Sequence, residues 1–107
     1  MRHFNGLTPA EQERLVCVAE EMGEAIQAIG KILRHGYGSK HPKGGPTNRE
    51  TLAREMGDVY ATMYELMNHR DVNAHLVQES CDNKPLNMKK YLHHYEQVAE
   101  DDDIIEY

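Results

Sequence analysis

The sequence predicts an all-α fold: a helical bundle with two long antiparallel helices and shorter C-terminal helices, completed by oligomerisation. Three observations carry this. Apolar residues recur at spacings of three and four in two long stretches. Each stretch opens on a capping box, the reciprocal hydrogen-bond pattern that starts helices. Period-two alternation, the mark of a half-buried strand, appears over no useful length.

The first helix is expected over about 9–35. Thr8 is a good N-cap, Pro9 suits the first helical position and Glu11 completes the box. Leu15, Ala19, Met22, Ile26, Ile29 and Leu33 form its apolar seam, and Val18, Ala25 and Ile32 widen the stripe. Arg34 and His35 occupy the last turn, with Gly36 as cap. Residues 36–48, GYGSKHPKGGPTN, read as a loop with positive character from Lys40, His41 and Lys43. The second helix opens on the Thr47–Glu50 box and runs to about His69. Leu52, Met56, Val59, Met63 and Leu66 line one face. Two further helices are expected, over 72–81 and 85–99. Pro85 would start the last, and Tyr91, Leu92, Tyr95, Val98 and Ala99 would share a face.

Bulk properties narrow the classes. A chain of 107 residues fits a single domain, 1–107. No run approaches the roughly 18 apolar residues that span a bilayer, and the N-terminus has no apolar leader. A cytoplasmic protein with no membrane partner is the expectation. Cys17 and Cys81 lack CxxC spacing and read as reduced, partly buried thiols. The formal charge is −6. Most of it sits in Glu100, Asp101, Asp102, Asp103 and Glu106, so the body is nearly neutral and the acidity is a tail. With no basic face, nucleic acid is not an expected partner.

Two stretches, EEMGE at 20–24 and EMGD at 55–58, carry the chemistry. Glu21 and Glu24 are i and i+3, as are Glu55 and Asp58, so each pair shares a helix face. On the first helix that face lies away from the Leu15–Leu33 seam, among Cys17 and Ala28. On the second it lies beside the seam. Like charges so placed repel, and Gly23 and Gly57 inside the pairs each cost about 1 kcal/mol relative to alanine. Both costs make sense around a multivalent cation. All-oxygen ligands suit Mg²⁺, with Mn²⁺ as substitute. The glycines would then admit a ligand or another backbone.

The same residues resemble the EExxE…ExxD pattern of the all-α nucleoside triphosphate pyrophosphohydrolases, a superfamily that includes the MazG-like enzymes, dimeric dUTPases and phosphoribosyl-ATP pyrophosphohydrolase. The resemblance covers about residues 8–70. The stretch EEMGEAIQAIGKILRHG is similar to the short MazG-like proteins of phages, some of which act on dGTP. It implies that Glu21, Glu24, Glu55 and Asp58 bind Mg²⁺, that Glu20 holds a further ion or orients water, and that a (deoxy)nucleoside triphosphate is split to monophosphate and pyrophosphate. It also implies a homodimer or homotetramer, and tilts the substrate towards dGTP or GTP.

Other residues have two readings. Lys31 and Arg34 follow Glu24 on nearly the same face and suit phosphate oxygens, or they complement the helix dipole. Lys89 and Lys90 suit phosphate or a solvated face. Asn48 is a cap or a nucleotide contact. Asn68 is a base contact or a helix-end polar residue. Small residues Gly23, Ala28 and Gly30 would leave room for a purine. The seven histidines form no metal spacing such as HExxH or ExxH, so a di-metal redox bundle is the weakest reading. There is no GxxxxGK[ST] phosphate loop. The rival from another class is a non-enzymatic acidic helical interaction or regulatory module.

Overall fold

A computed structural model describes residues 4–96. Among them the chain is all-helical, with α1 over Pro9–His35, α2 over Asn48–Asn68 and α3 over Ala74–Tyr91. No described helix is long and apolar enough to cross a membrane. The backbone divides into two compact units, Met1–Asp71 and Val72–Tyr107.

In the first unit the helix starts fall where local hydrogen bonding requires. Thr8 Oγ1 accepts from the Glu11 amide at 3.1 Å, and Glu11 Oε1 accepts from the Thr8 amide at 2.8 Å. Thr47 and Glu50 repeat the arrangement at 3.2 and 3.3 Å. These boxes satisfy amides that would otherwise lack partners in the first turn. α1 stops at Gly36, whose φ of 90° favours glycine, and its N–H donates to Ile32 O at 2.7 Å.

The 36–47 loop is stapled to the start of α2. The Asn48 amide donates to Ser39 O at 2.8 Å and the Arg49 amide to Tyr37 O at 3.0 Å. Asn48 Nδ2 donates to Gly36 O at 3.1 Å, which joins the end of α1 to the start of α2. Lys40 and Thr47 form an isolated antiparallel bridge. The Arg49 guanidinium lies 4.5 Å from the Tyr37 ring centroid, and Arg49 is buried.

α2 ends on a Schellman motif. Asp71 N–H donates to Leu66 O at 2.8 Å and Arg70 N–H to Met67 O at 3.0 Å. The left-handed position is taken by Arg70 at φ 60° instead of glycine. The turn presents Asp71 to Arg14, and the two pair bidentately at 2.6 and 3.0 Å. This pair ties the start of α1 to the end of α2, as Asn48 ties their other ends.

α1 and α2 pack against each other, but not along the expected seam. The inward line of α1 is Arg14, Val18, Glu21, Ala25, Ala28 and Ile32, all buried or half-buried. It keeps the 4-3 spacing but is rotated from the Leu15 line by one residue, about 100°. α2 offers Leu52, Glu55, Val59, Thr62 and Leu66. Among the described residues only Val18, Ala28 and Leu66 are buried apolar residues, and none of them is fully shut off from solvent. On α1 the expected Leu15–Leu33 seam is mostly uncovered, with Ile26 68% exposed and Leu33 81%. The packing falls instead on Val18, Ala25 and Ile32, expected only to widen the stripe. On α2 the expected Leu52, Val59, Met63 and Leu66 are buried or half-buried.

Among the described residues the second unit contains one helix, α3, across the span where two were expected. α3 runs through Pro85, which lies inside it and does not open a new helix. Proline removes the amide that would bond to the Cys81 carbonyl. Every residue around it is exposed, so water can take that carbonyl and the helix is not forced to break. Asn73 caps the start, with Oδ1 accepting from the Leu76 amide at 3.1 Å. The helix ends at Tyr91, with Leu92 as cap. Tyr95 therefore lies in a turn, where Lys89 approaches its ring and Glu96. Val98, Ala99 and the acidic tail lie outside the described residues. Cys17 and Cys81 are free thiols, as expected, but exposed and not partly buried.

Candidate metal centre

Because Glu21 and Glu55 fall on the packed line of their helices, two carboxylates enter the α1–α2 interface together. One oxygen each from Glu21, Glu24 and Glu55 lies within 4.8 Å of the other two. Glu21 and Glu55 are half-buried and Glu24 is exposed. Oε2 of Glu21 and Oε2 of Glu55 are both shut off from solvent without a hydrogen-bond partner. Such orphaned acceptors are costly unless something binds them.

The electrostatics follow from this placement. The Glu21 carboxyl is pushed above its ordinary range, first by burial, then by the charges of Glu24 and Asp58, with smaller effects from the Glu24 side-chain contact and Glu55. Glu55 is also raised, first by burial, then by its side-chain contact with Glu24 and the charges of Glu24 and Asp58. Asp58 is thus felt by both buried acids. Its side chain is one carbon shorter, and it does not join the three converging oxygens.

The donor set fits a small hard cation. Three carboxylates on two helices supply anionic oxygens and no soft ligand, which suits Mg²⁺ or Mn²⁺. Glu21, Glu24 and Glu55 would hold it, with Asp58 beside them.

Glu20 is not brought to this group. It is exposed and lines a separate shallow depression with Pro9, Gln12, Glu13, Val16 and Cys17. One residue along a helix turns the side chain by about 100°, which moves it off the Glu21 face. A Cβ added at Gly23 or Gly57 would meet nothing within 4 Å, so no neighbouring element of this chain approaches them. The close approach expected there is not made by α1 against α2.

Lys31, Arg34 and Asn48 do come together. They line a cleft of about 510 Å³ between the end of α1, the loop and the start of α2. Ala28 and Thr51 also line it, each four residues, an axial rise of about 6 Å, from Glu24 and Glu55 respectively. Of the three small residues, Ala28 lines this cleft and Gly23 and Gly30 do not. The amide nitrogen of Asn48 is engaged by Gly36 O, which makes its role here that of a strut. Asn68 is the last residue of α2, at the opposite end from the cleft, and does not join Lys31, Arg34 and Asn48 there.

Sequence reasoning missed Thr51 and Arg49, and saw in Lys40 only the loop's positive character. Thr51 and Lys40 carry no motif. Arg49 is a buried cation whose partner, Tyr37, lies across a glycine-rich loop. One signal was present for the buried acids: Glu21 and Glu55 occupy the 4-3 lines Val18–Glu21–Ala25–Ala28 and Leu52–Glu55–Val59.

No protein-family model, no curated protein and no solved structure matches this chain.

Proposed function

We propose that the protein is a Mg²⁺-dependent nucleoside triphosphate pyrophosphohydrolase of the MazG-like kind. The observation that carries the reading is the convergence of Glu21, Glu24 and Glu55, two of them with buried oxygens that nothing in the chain satisfies. The resemblance of EEMGE…EMGD to the superfamily pattern points the same way. When bound, the ion would neutralise phosphate oxygens and make a bound water more acidic.

The chain's own residues then have defined work. Glu21 and Glu55 stay fixed by packing, so the site needs little reorganisation. Glu24, exposed at the rim, would complete the ion's ligands with them. In the reaction the water oxygen bonds to phosphorus and one phosphoanhydride bond breaks. The bridging oxygen leaves with the electron pair, and the water's proton passes to solvent or the rim carboxylate. The products are a nucleoside monophosphate and pyrophosphate.

The active species is proposed to be a homodimer or homotetramer, in which α1 and α2 run antiparallel within each copy. The contacts of Arg14 with Asp71 and of Gly36 with Asn48 support that direction. Exposed Leu15, Met22, Ile26, Ile29 and Leu33 on α1, with Met56, Tyr60 and Tyr64 on α2, would bury against a second copy. Among the described residues the buried apolar set is Val18, Ala28 and Leu66. Val18 and Leu66 supply at most about 1.5–3 kcal/mol each and the alanine less, a small core for a domain standing alone. Light scattering should give a dimer or larger. An active monomer at micromolar concentration would overturn this part.

Guanine nucleotides are the proposed preference, because acceptors buried against guanine's N1–H and N2–H₂ donors would be left unpaired by adenine. A panel of canonical NTPs and dNTPs with Mg²⁺ or Mn²⁺, scored for pyrophosphate release, tests the reading. dGTP and GTP should be cleaved fastest. dUTP or dCTP as best substrate would remove the base preference, and no pyrophosphate from any of them would remove the enzyme and favour the acidic interaction module.

A further inference from the structure

The cleft beside the carboxylates differs from them in charge and in lining. Lys31, Arg34 and Lys40 stand around it, and none of its lining residues is acidic. No Phe, Tyr or Trp lines it either, so it lacks the broad ring on which a nucleobase stacks best. The first amides of α2 are already bonded to Ser39, Tyr37 and Thr47, so an anion there would be held by side chains and not by the helix start. Arg34 folds back along its own helix, its Nη1 lying 3.4 Å from the place a Cβ on Gly30 would take. The mid-helix glycine thus gives the guanidinium room beside the cleft.

Resting on the pyrophosphohydrolase reading, we propose that this cleft binds the distal phosphates of the substrate, and hence the departing pyrophosphate, while the nucleoside lies outside it. Three cations match a diphosphate group's multiple negative charges. Ala28 and Thr51, which line the cleft, are four residues along their helices from Glu24 and Glu55, an axial rise of about 6 Å, so the cleft neighbours the acids along both helices. The cleft therefore sets the direction in which the triphosphate lies, with its tail towards the 36–47 loop.

The test is calorimetric binding of inorganic pyrophosphate to the full chain in metal-free buffer, with Lys31→Gln, Lys40→Gln and Lys43→Gln. Lys43 is on the same loop but does not line the cleft, so it controls for net charge. The first two variants should weaken binding by about tenfold or more each, and Lys43→Gln much less. Deoxyguanosine should not compete. Pyrophosphate binding that is absent, that falls equally in all three variants, or that deoxyguanosine displaces would overturn the proposal. Its failure is distinct from that of the enzymatic reading: hydrolysis with no cleft binding removes only the cleft, and cleft binding with no hydrolysis removes only the enzyme.

Discussion

Two neighbouring lines of α1 have the same 4-3 spacing and opposite fates. Leu15, Met22, Ile26, Ile29 and Leu33 are large, apolar and exposed. Arg14, Val18, Glu21, Ala25, Ala28 and Ile32 are smaller or charged on average, and they are the line packed on α2. Hydrophobicity alone would choose the first. The second wins within the chain because Ala25 and Ala28 are short, while the ends are fastened by Arg14 with Asp71 and by Asn48 with Gly36. The lesson is that the greasier line stays uncovered within the chain, and the tighter line brings the acids together.

Substitutions on the two lines should separate these roles. Val18→Asp places a charge at a position only 7% exposed and should cost about 3–5 kcal/mol, enough to unfold the hairpin. Circular dichroism would register lost helix. Leu33→Asp, at an exposed position, should leave the single chain within about 0.5 kcal/mol yet dissociate the oligomer in size-exclusion chromatography. If Leu33→Asp unfolds the chain, or Val18→Asp does not, the assignment of the two lines is reversed.

The acids on the packed line predict a pH signature. Glu21 and Glu55 have raised carboxyls in the folded protein, so the fold binds their protons more tightly than the unfolded chain does. Their penalty is absent below the unfolded carboxylate range. It grows as pH rises through the raised folded values. Asp71 works the other way. Its pairing with Arg14 lowers it, chiefly through the side-chain hydrogen bond, so that contribution is present above the unfolded range and is lost as pH falls through the lowered value. Metal-free protein should therefore lose thermal stability as pH rises from the ordinary carboxylate range through the raised values of Glu21 and Glu55, and Mg²⁺ should flatten the loss. Asp71→Asn should remove the acid-side fall. A Tm that rises steadily to neutral pH without metal would contradict the site's burial.

Smaller effects sharpen the picture on the outer surfaces. Gly23→Ala meets nothing within 4 Å and should stabilise α1 by about 0.5–1 kcal/mol. A loss of stability there would place another copy's backbone against Gly23. Arg70→Gly relieves a left-handed arginine at φ 60° and should gain up to about 1 kcal/mol, read as a small upward shift in denaturation midpoint.

How much was legible follows from the range of the forces. The starts of α1 and α2 were legible because Thr8–Glu11 and Thr47–Glu50 close their bonds within four residues. The end of α2 was less so, since the Schellman turn uses Arg70 where glycine would have signalled it. The course of α3 through Pro85 was not legible. A proline's cost is fixed locally, but whether it ends a helix depends on whether water reaches the freed carbonyl. At the site, Glu21, Glu24 and Glu55 could be chosen from their i, i+3 spacing and resemblance. The sequence placed the Glu21–Glu24 face away from the seam, because large side chains were taken to mark the core. Glu20 points away from the other acids, and Asn68 stands at the far end of α2 from the cleft, by geometry that only the packed pair defines. Lys40 enters through a loop whose path the sequence does not dictate.

The central claim is that the acids buried between α1 and α2 are there to hold a metal ion for triphosphate hydrolysis. The most direct measurement is pyrophosphate release from dGTP across a Mg²⁺ titration, for wild type, Glu21→Gln and Glu55→Gln at matched helix content. The account predicts saturable Mg²⁺-dependent release by wild type and a loss of about a hundredfold or more in each variant, with the metal-free variants at least as stable as wild type. Release that needs no divalent ion, or that proceeds equally in both variants, would contradict it.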